Sequence, residues 1–150
     1  MDEKITERWM RDSMTALKSA IEKFEHGDEG DFKQALIIAD HATETVMRNY
    51  LIFKEDVNPP YDYPALLREV TSRVGVPGDI NETIETFRLI RDGFQHHNLK
   101  KLEKGLKGTT TGLTIEKSYL EDYLRAVCKL FKYLTGVQIE LGGNKNAKTD

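Results

Sequence analysis

Cysteine is nearly absent from this chain of 150 residues, which contains only one, Cys128. A single cysteine excludes an intramolecular disulfide and a zinc site that needs several cysteines. No apolar run approaches the roughly 18 residues that a membrane-spanning helix requires. The N-terminus has no basic region followed by an apolar stretch, so we expect no secretory signal. These absences predict a soluble protein that does not enter a membrane and works in the reducing cytoplasm.

An excess of charge of one sign is also missing. The chain has 25 acidic and 22 basic side chains, a net charge of −3. This balance excludes a uniformly basic nucleic-acid-binding protein but is compatible with a locally basic face. The length and the 39% hydrophobic content suit one domain with one core. We expect that domain to span residues 1–141, followed by a disordered tail over residues 142–150.

Apolar residues recur every three or four positions in five stretches, which is the spacing of a helix face. The predicted helices cover approximately residues 10–24, 32–54, 66–74, 80–94 and 120–134. Capping boxes are expected at Asp31 with Gln34 and at Asp79 with Glu82. A loop rich in glycine and threonine is expected over residues 105–112, and a short strand is an option for residues 137–141. The prediction is an all-α fold, an antiparallel helical bundle of four long helices and one short helix.

The residues with the most chemical potential lie at the end of the fourth predicted helix. Arg91 falls on the apolar face of that helix, where an unpaired guanidinium costs several kcal/mol, and Asp92 beside it can orient it. His96 and His97 follow, and an ordinary histidine pKa of about 6.5 suits proton transfer near neutrality. A guanidinium that binds phosphate oxygens and a histidine that exchanges protons are suited to cleaving RNA. No metal ion or cofactor is needed when the RNA 2′-hydroxyl is the nucleophile.

The spacing of these residues raises a geometric difficulty. Five residues turn an ideal helix through about 140°, so Arg91 and His96 converge poorly on one straight helix. Gly93, a helix end near His97, or a twofold partner that supplies the matching set would each relieve this. A metal site is not expected, because adjacent histidines on a helix point about 100° apart.

A local excess of positive charge surrounds the motif. Residues 88–107 contain six bases and two acids, a balance of +4. The residues expected to contact the RNA backbone are Arg88, Lys100, Lys101 and Lys104. The alternative is a solvated charge run whose lysines complement the dipole of the preceding helix.

The motif and the helical pattern resemble the HEPN family of small helical-bundle proteins. In that family an arginine, commonly followed by Asn, Asp or His, is separated from a later histidine by four to six intervening residues. Arg91, Asp92 and His96 match this pattern, and His97 also fits. The alanine-rich residues 35–46, which include a glutamate, are similar to the family's second helix. The resemblance extends over roughly residues 5–134.

The resemblance implies a homodimer whose two motifs face each other across a cleft and cut RNA without a metal ion. In it Arg91 holds the scissile phosphate, His96 is the general acid or base, and Asp92 orients Arg91. Many members are toxins, which makes an antitoxin or another regulatory protein a candidate partner. One branch has a tyrosine two residues after the histidine that its partner modifies; Asn98 stands there, which argues against that control.

The leading hypothesis is therefore a metal-independent endoribonuclease, a toxin or a defence component. The alternative is a catalytically silent HEPN dimer module that binds a partner protein, a nucleotide or RNA.

Overall fold

The computed structural model describes the backbone of residues 3–96 and 117–142, with side chains for residues 8–28, 30–89 and 117–142. The predicted all-α fold is confirmed: these residues form helices and contain no β-strand. The described helices are α1 (Glu3–His26), α2 (Glu29–Phe53), α3 (Tyr63–Val74), α4 (Gly78–His96) and α5 (Lys117–Thr135). No described helix combines the length and the apolar character that crossing a bilayer requires. The predicted loop over residues 105–112 and residues 143–150 of the predicted tail lie outside the described residues.

Helix α2 begins about one turn earlier than the spacing of apolar residues predicts. Asp28 is the N-cap: its Oδ1 accepts the N–H of Gly30 at 2.9 Å, and Oδ2 of Asp31 accepts the N–H of Asp28 at 3.1 Å. The capping box thus joins Asp28 to Asp31, and the expected pairing of Asp31 with Gln34 is wrong. The tight turn before the cap depends on Gly27, where a Cβ would lie 2.5 Å from Oδ2 of Asp31.

The start of α4 also differs from the prediction. The helix begins at Gly78, so Asp79 lies inside the first turn and the expected capping box with Glu82 is wrong. The N–H of Ile80 instead donates to the carbonyl of Pro77 at 3.2 Å. The carboxylate of Asp79 still suits the first turn, because a negative charge there interacts favourably with the helix dipole.

The core draws large apolar side chains from all five described helices. Helix α2 contacts each of the other four, and α5 packs on both α2 and α4. Fully buried leucines or isoleucines from each helix meet in this core, for example Leu17, Leu36, Leu66, Ile84 and Leu124. Burying their side chains is the main source of stability, about 1.5–3 kcal/mol for each.

Cys128 lies on the buried face of α5, as its position beside the apolar stripe predicts. Burial raises the pKa of its thiol to about 12, and the nearby charge of Glu140 adds to this rise while Arg125 opposes it. A thiol in this state is not a nucleophile near neutral pH.

The segment after α5 is irregular, and the expected strand over residues 137–141 is wrong. Its alternating pattern does bury Ile139 and Leu141 against the core. A strand requires a neighbouring strand for its backbone hydrogen bonds, and none occurs among the described residues. The alternation therefore reflects the burial of every second side chain without sheet formation.

Candidate functional site

Three of the four predicted catalytic residues lie in the C-terminal turns of α4. Arg91, Asp92 and His96 occupy its last turns, where the structure describes the backbone alone. The backbone remains helical through Gly93, so this glycine does not bring Arg91 and His96 closer together. The separation of about 140° around the helix axis therefore applies to a single copy of the chain. His97 and the predicted RNA contacts Lys100, Lys101 and Lys104 lie outside the described residues.

One turn before Arg91, the side chain of Arg88 connects α4 to α2. Its Nη1 lies 3.0 Å from Oδ2 of Asp40 and 3.2 Å from Oε1 of Glu44. Asp40 and Glu44 are four residues apart, so α2 presents both carboxylates on one face in successive turns. The side chain of Asp40 is completely buried, and that of Arg88 is 20% exposed. A buried carboxylate is tolerated here because a guanidinium compensates its charge.

A second arginine completes this arrangement. Arg48 follows Glu44 by one turn of α2 and donates from Nε and Nη2 to Oε2 of Glu44 at 3.1 and 3.0 Å. Its Nη1 and Nη2 also donate to the carbonyls of Pro60 and Tyr61 at 2.8 and 2.7 Å. Arg48 thus fastens the loop between α2 and α3. We call Asp40, Glu44, Arg48 and Arg88 the ion-pair cluster; its two carboxylates and two guanidiniums balance in charge.

Tyr63, the first residue of α3, packs against the ion-pair cluster. The guanidinium carbon of Arg88 lies 3.8 Å from the centroid of the Tyr63 ring, a cation–π contact. The Tyr63 hydroxyl is buried and has no hydrogen-bond partner in the described part of the chain. Burial raises the pKa of Tyr63 well above its ordinary value, and the charge of Asp40 adds to the rise. Tyr63 is therefore neutral and serves as a fixed surface for Arg88.

The electrostatics of Glu44 keep this carboxylate ionised near neutral pH. Burial alone raises the pKa of Glu44, but the hydrogen bonds and charges of Arg48 and Arg88 outweigh it and lower the pKa below 4.5. Arginine remains charged throughout the accessible pH range. The paired charges of Glu44, Arg48 and Arg88 are thus suited to holding helices in place.

This lowered pKa predicts a loss of stability in acid. A carboxylate with a lower pKa in the folded state stabilises the fold above its unfolded pKa, and this contribution disappears as the pH falls through the folded value. We expect Glu44→Gln to cost about 1–2 kcal/mol of unfolding free energy at pH 7, and the deficit to shrink as the pH falls below 4.5. Urea titrations of both proteins across this range measure it. A deficit that stays constant down to pH 3 contradicts the prediction.

The sequence singled out Arg88 as a residue that contacts RNA, and the structure shows its guanidinium paired with two carboxylates. Sequence reasoning did not select Asp40 or Arg48. A signal for Asp40 was present, because it lies four residues after Leu36 on the apolar stripe of α2. A carboxylate at such a position calls for a cationic partner on another helix.

No three His, Cys, Asp or Glu side chains lie close enough to hold a metal ion within the part of the chain that the structure describes. Comparison with protein-family models, with curated proteins and with solved structures finds no match to this chain.

Proposed function

We propose that this protein is a metal-independent endoribonuclease of the HEPN type that acts as a homodimer, as a toxin or a defence component. In this proposal the fold is an antiparallel bundle of four long helices and one short helix, with RNA as substrate. Arg91 binds the scissile phosphate, Asp92 orients Arg91, and His96 or its neighbour His97 transfers protons. An antitoxin or another regulatory protein is a candidate partner.

The observation that carries the proposal is the placement of the motif residues on one helix end. Arg91, Asp92 and His96 share the last turns of α4, and four further basic residues of the sequence follow within about a dozen positions. A concentration of cationic residues beside a histidine favours a polyanionic substrate. The guanidinium supplies a planar pair of donors for phosphate oxygens, and histidine supplies a proton acceptor or donor near neutral pH.

The continuous helix favours a site made by two copies of the chain. Because α4 stays helical through Gly93, the backbone positions of Arg91 and His96 in one copy lie about 140° apart around the helix axis. A twofold axis beside the end of α4 places Arg91 of one copy opposite His96 of the other. A twofold dimer is the commonest symmetric assembly of soluble proteins. Both copies use the same surface patch at its interface.

The chemistry of the proposed reaction needs two proton transfers. One histidine removes the proton of the RNA 2′-hydroxyl as its oxygen bonds to phosphorus, and the bond from phosphorus to the 5′-oxygen breaks. The second histidine, from the other copy, protonates the departing 5′-oxygen. Arg91 stabilises the negative charge that develops on the phosphate oxygens. The products carry a 2′,3′-cyclic phosphate and a free 5′-hydroxyl.

The test is cleavage of a mixed RNA by the purified protein in excess EDTA, with Arg91→Ala, His96→Ala and His97→Ala variants. We expect cleavage to survive EDTA and to fall by about 10²–10⁴-fold when the acting histidine is removed. Mass spectrometry of the fragments identifies the cyclic phosphate, and sedimentation measures the dimer. DNA of the same sequence is expected to remain intact, because it lacks the 2′-hydroxyl.

Matched controls are available on α1 and α2. His41 and Arg11 are exposed side chains on helices that do not carry the motif, so His41→Ala and Arg11→Ala are expected to leave cleavage unchanged. Circular dichroism must show that Arg91→Ala retains the fold. Cleavage that is absent, that needs a metal ion or that ignores both His96 and His97 overturns the proposal and favours the silent binding module.

A further inference from the structure

We propose that Arg88 is a positioning residue for this site: its ion pairs with Asp40 and Glu44 set the rotation of α4, and hence the positions of Arg91 and His96 around the helix axis. This inference rests on the proposed function. It assigns Arg88 a different role from direct contact with RNA.

The geometry around Arg88 restrains α4 from two helices at once. Nη1 of Arg88 is shared by carboxylates in successive turns of α2, at 3.0 and 3.2 Å. The ring of Tyr63 from α3 covers the guanidinium at 3.8 Å. By contrast, Arg125 pairs with Glu121 of its own helix, an interaction that does not depend on how that helix is rotated. An ion pair can fix the rotation of a helix about its own axis only when its partner lies on another helix.

Apolar packing alone defines this rotation less sharply. Ile84 and Phe87 of α4 are buried in the core, but the hydrophobic effect that drives this burial is non-directional. The ion pair is less tolerant: turning α4 away from α2 removes a partner from Asp40, whose side chain water does not reach. A buried carboxylate that loses its cation is strongly unfavourable. Arg91 begins the next turn of the same helix, so its position follows from that of Arg88.

The surroundings of Arg88 also argue against a direct contact with phosphate. A phosphate beside its guanidinium would approach the carboxylates of Asp40 and Glu44, and like charges repel. To bind RNA, Arg88 would have to give up its contact with the buried carboxylate of Asp40. The two roles predict different kinetics, since a phosphate contact contributes to substrate binding and a positioning contact contributes to the chemical step.

The decisive experiment compares Arg88→Gln with Arg48→Gln. Arg48 belongs to the same ion-pair cluster and shares Glu44, but its remaining donors hold the carbonyls of Pro60 and Tyr61. Its loss removes a guanidinium without releasing α4. We expect Arg88→Gln to lower kcat about 10²-fold with KM nearly unchanged, and Arg48→Gln to keep kcat within about threefold. Arg88→Lys retains a cation near both carboxylates and is expected to recover part of kcat.

Two kinetic outcomes overturn the inference. A raised KM with an unchanged kcat in Arg88→Gln assigns the residue to RNA binding. Equal losses of kcat in the Arg88→Gln and Arg48→Gln variants mean that the cluster acts only through general stability. If Arg88→Gln does not fold, Asp40→Asn provides a similar comparison, because it keeps the side-chain shape and removes the charge of one of the two carboxylates that hold Arg88.

A second readout does not depend on activity. Backbone amide chemical shifts of residues 91–96 report the geometry at the end of α4, and we expect Arg88→Gln to move them while Arg48→Gln leaves them in place. If the wild-type protein does not cleave RNA, the proposed function fails, and these shifts still decide whether Arg88 positions the helix. Unchanged shifts in Arg88→Gln overturn the inference whatever the activity.

Discussion

Replacing Phe87 with alanine is expected to lower the free energy of unfolding by about 3–5 kcal/mol. Phe87 is 1% exposed, and its ring centroid lies 4.7 Å from those of both Tyr119 and Tyr123 of α5. Removing the ring opens a cavity between α4 and α5 and eliminates two aromatic contacts. The loss falls on the helix that carries the candidate motif. Urea denaturation followed by circular dichroism measures it.

The matched control for this prediction is the same substitution at Phe53. This residue ends α2 and is 62% exposed, so Phe53→Ala is expected to change the unfolding free energy by less than about 0.5 kcal/mol. The comparison separates the loss of a core contact from any general effect of removing an aromatic ring. Similar costs at Phe87 and Phe53 contradict the described packing of α4 on α5.

The second large effect is expected at Asp40. Asp40→Ala leaves Arg88 with Glu44 as its described carboxylate partner, and breaking a buried ion pair from one side costs about 3 kcal/mol or more. The exposed pair between Glu121 and Arg125 provides the control; Glu121→Ala is expected to cost less than about 0.5 kcal/mol. Thermal and urea denaturation of both variants test the difference.

A double-mutant cycle examines the same pair more directly. If Asp40 and Arg88 act together, the combined Asp40→Ala and Arg88→Ala substitutions cost less than the sum of the two single costs, with a coupling of about 0.5–3 kcal/mol. Additive costs show that the two side chains stabilise the protein independently. That result also removes the physical basis for the role of Arg88 in orienting α4.

The sequence indicates the motif residues of the candidate site but not the ion-pair partners of Arg88. Arg91, Asp92 and His96 are visible as a motif because they lie within six residues of one another. The partner of Arg88 is not visible, since Asp40 precedes it by 48 residues. From the sequence, Arg88 is one of several basic residues near the motif. In the fold, its guanidinium contacts two carboxylates.

The same distinction applies to the helix ends. The apolar spacing predicts every described helix, because the burial of one face is a local and repeating property of the chain. It places the start of each helix too late, and the predicted capping boxes of α2 and α4 are wrong, because Asp28 and Gly78 depend on how the chain turns before the helix. The turn before a helix depends on a few backbone hydrogen bonds and close contacts between atoms. These leave no trace in the spacing of apolar residues along the sequence.

By itself, then, the sequence determined the all-α class, the approximate helices, the buried Cys128 and the motif at the end of α4. These properties follow from local spacing and side-chain chemistry. Only the tertiary structure decided that Arg88 faces Asp40 and Glu44, that Arg48 holds the loop before α3, and that α4 continues through Gly93. Buried charges must find partners wherever the packed helices bring them, and that meeting is set by the whole fold.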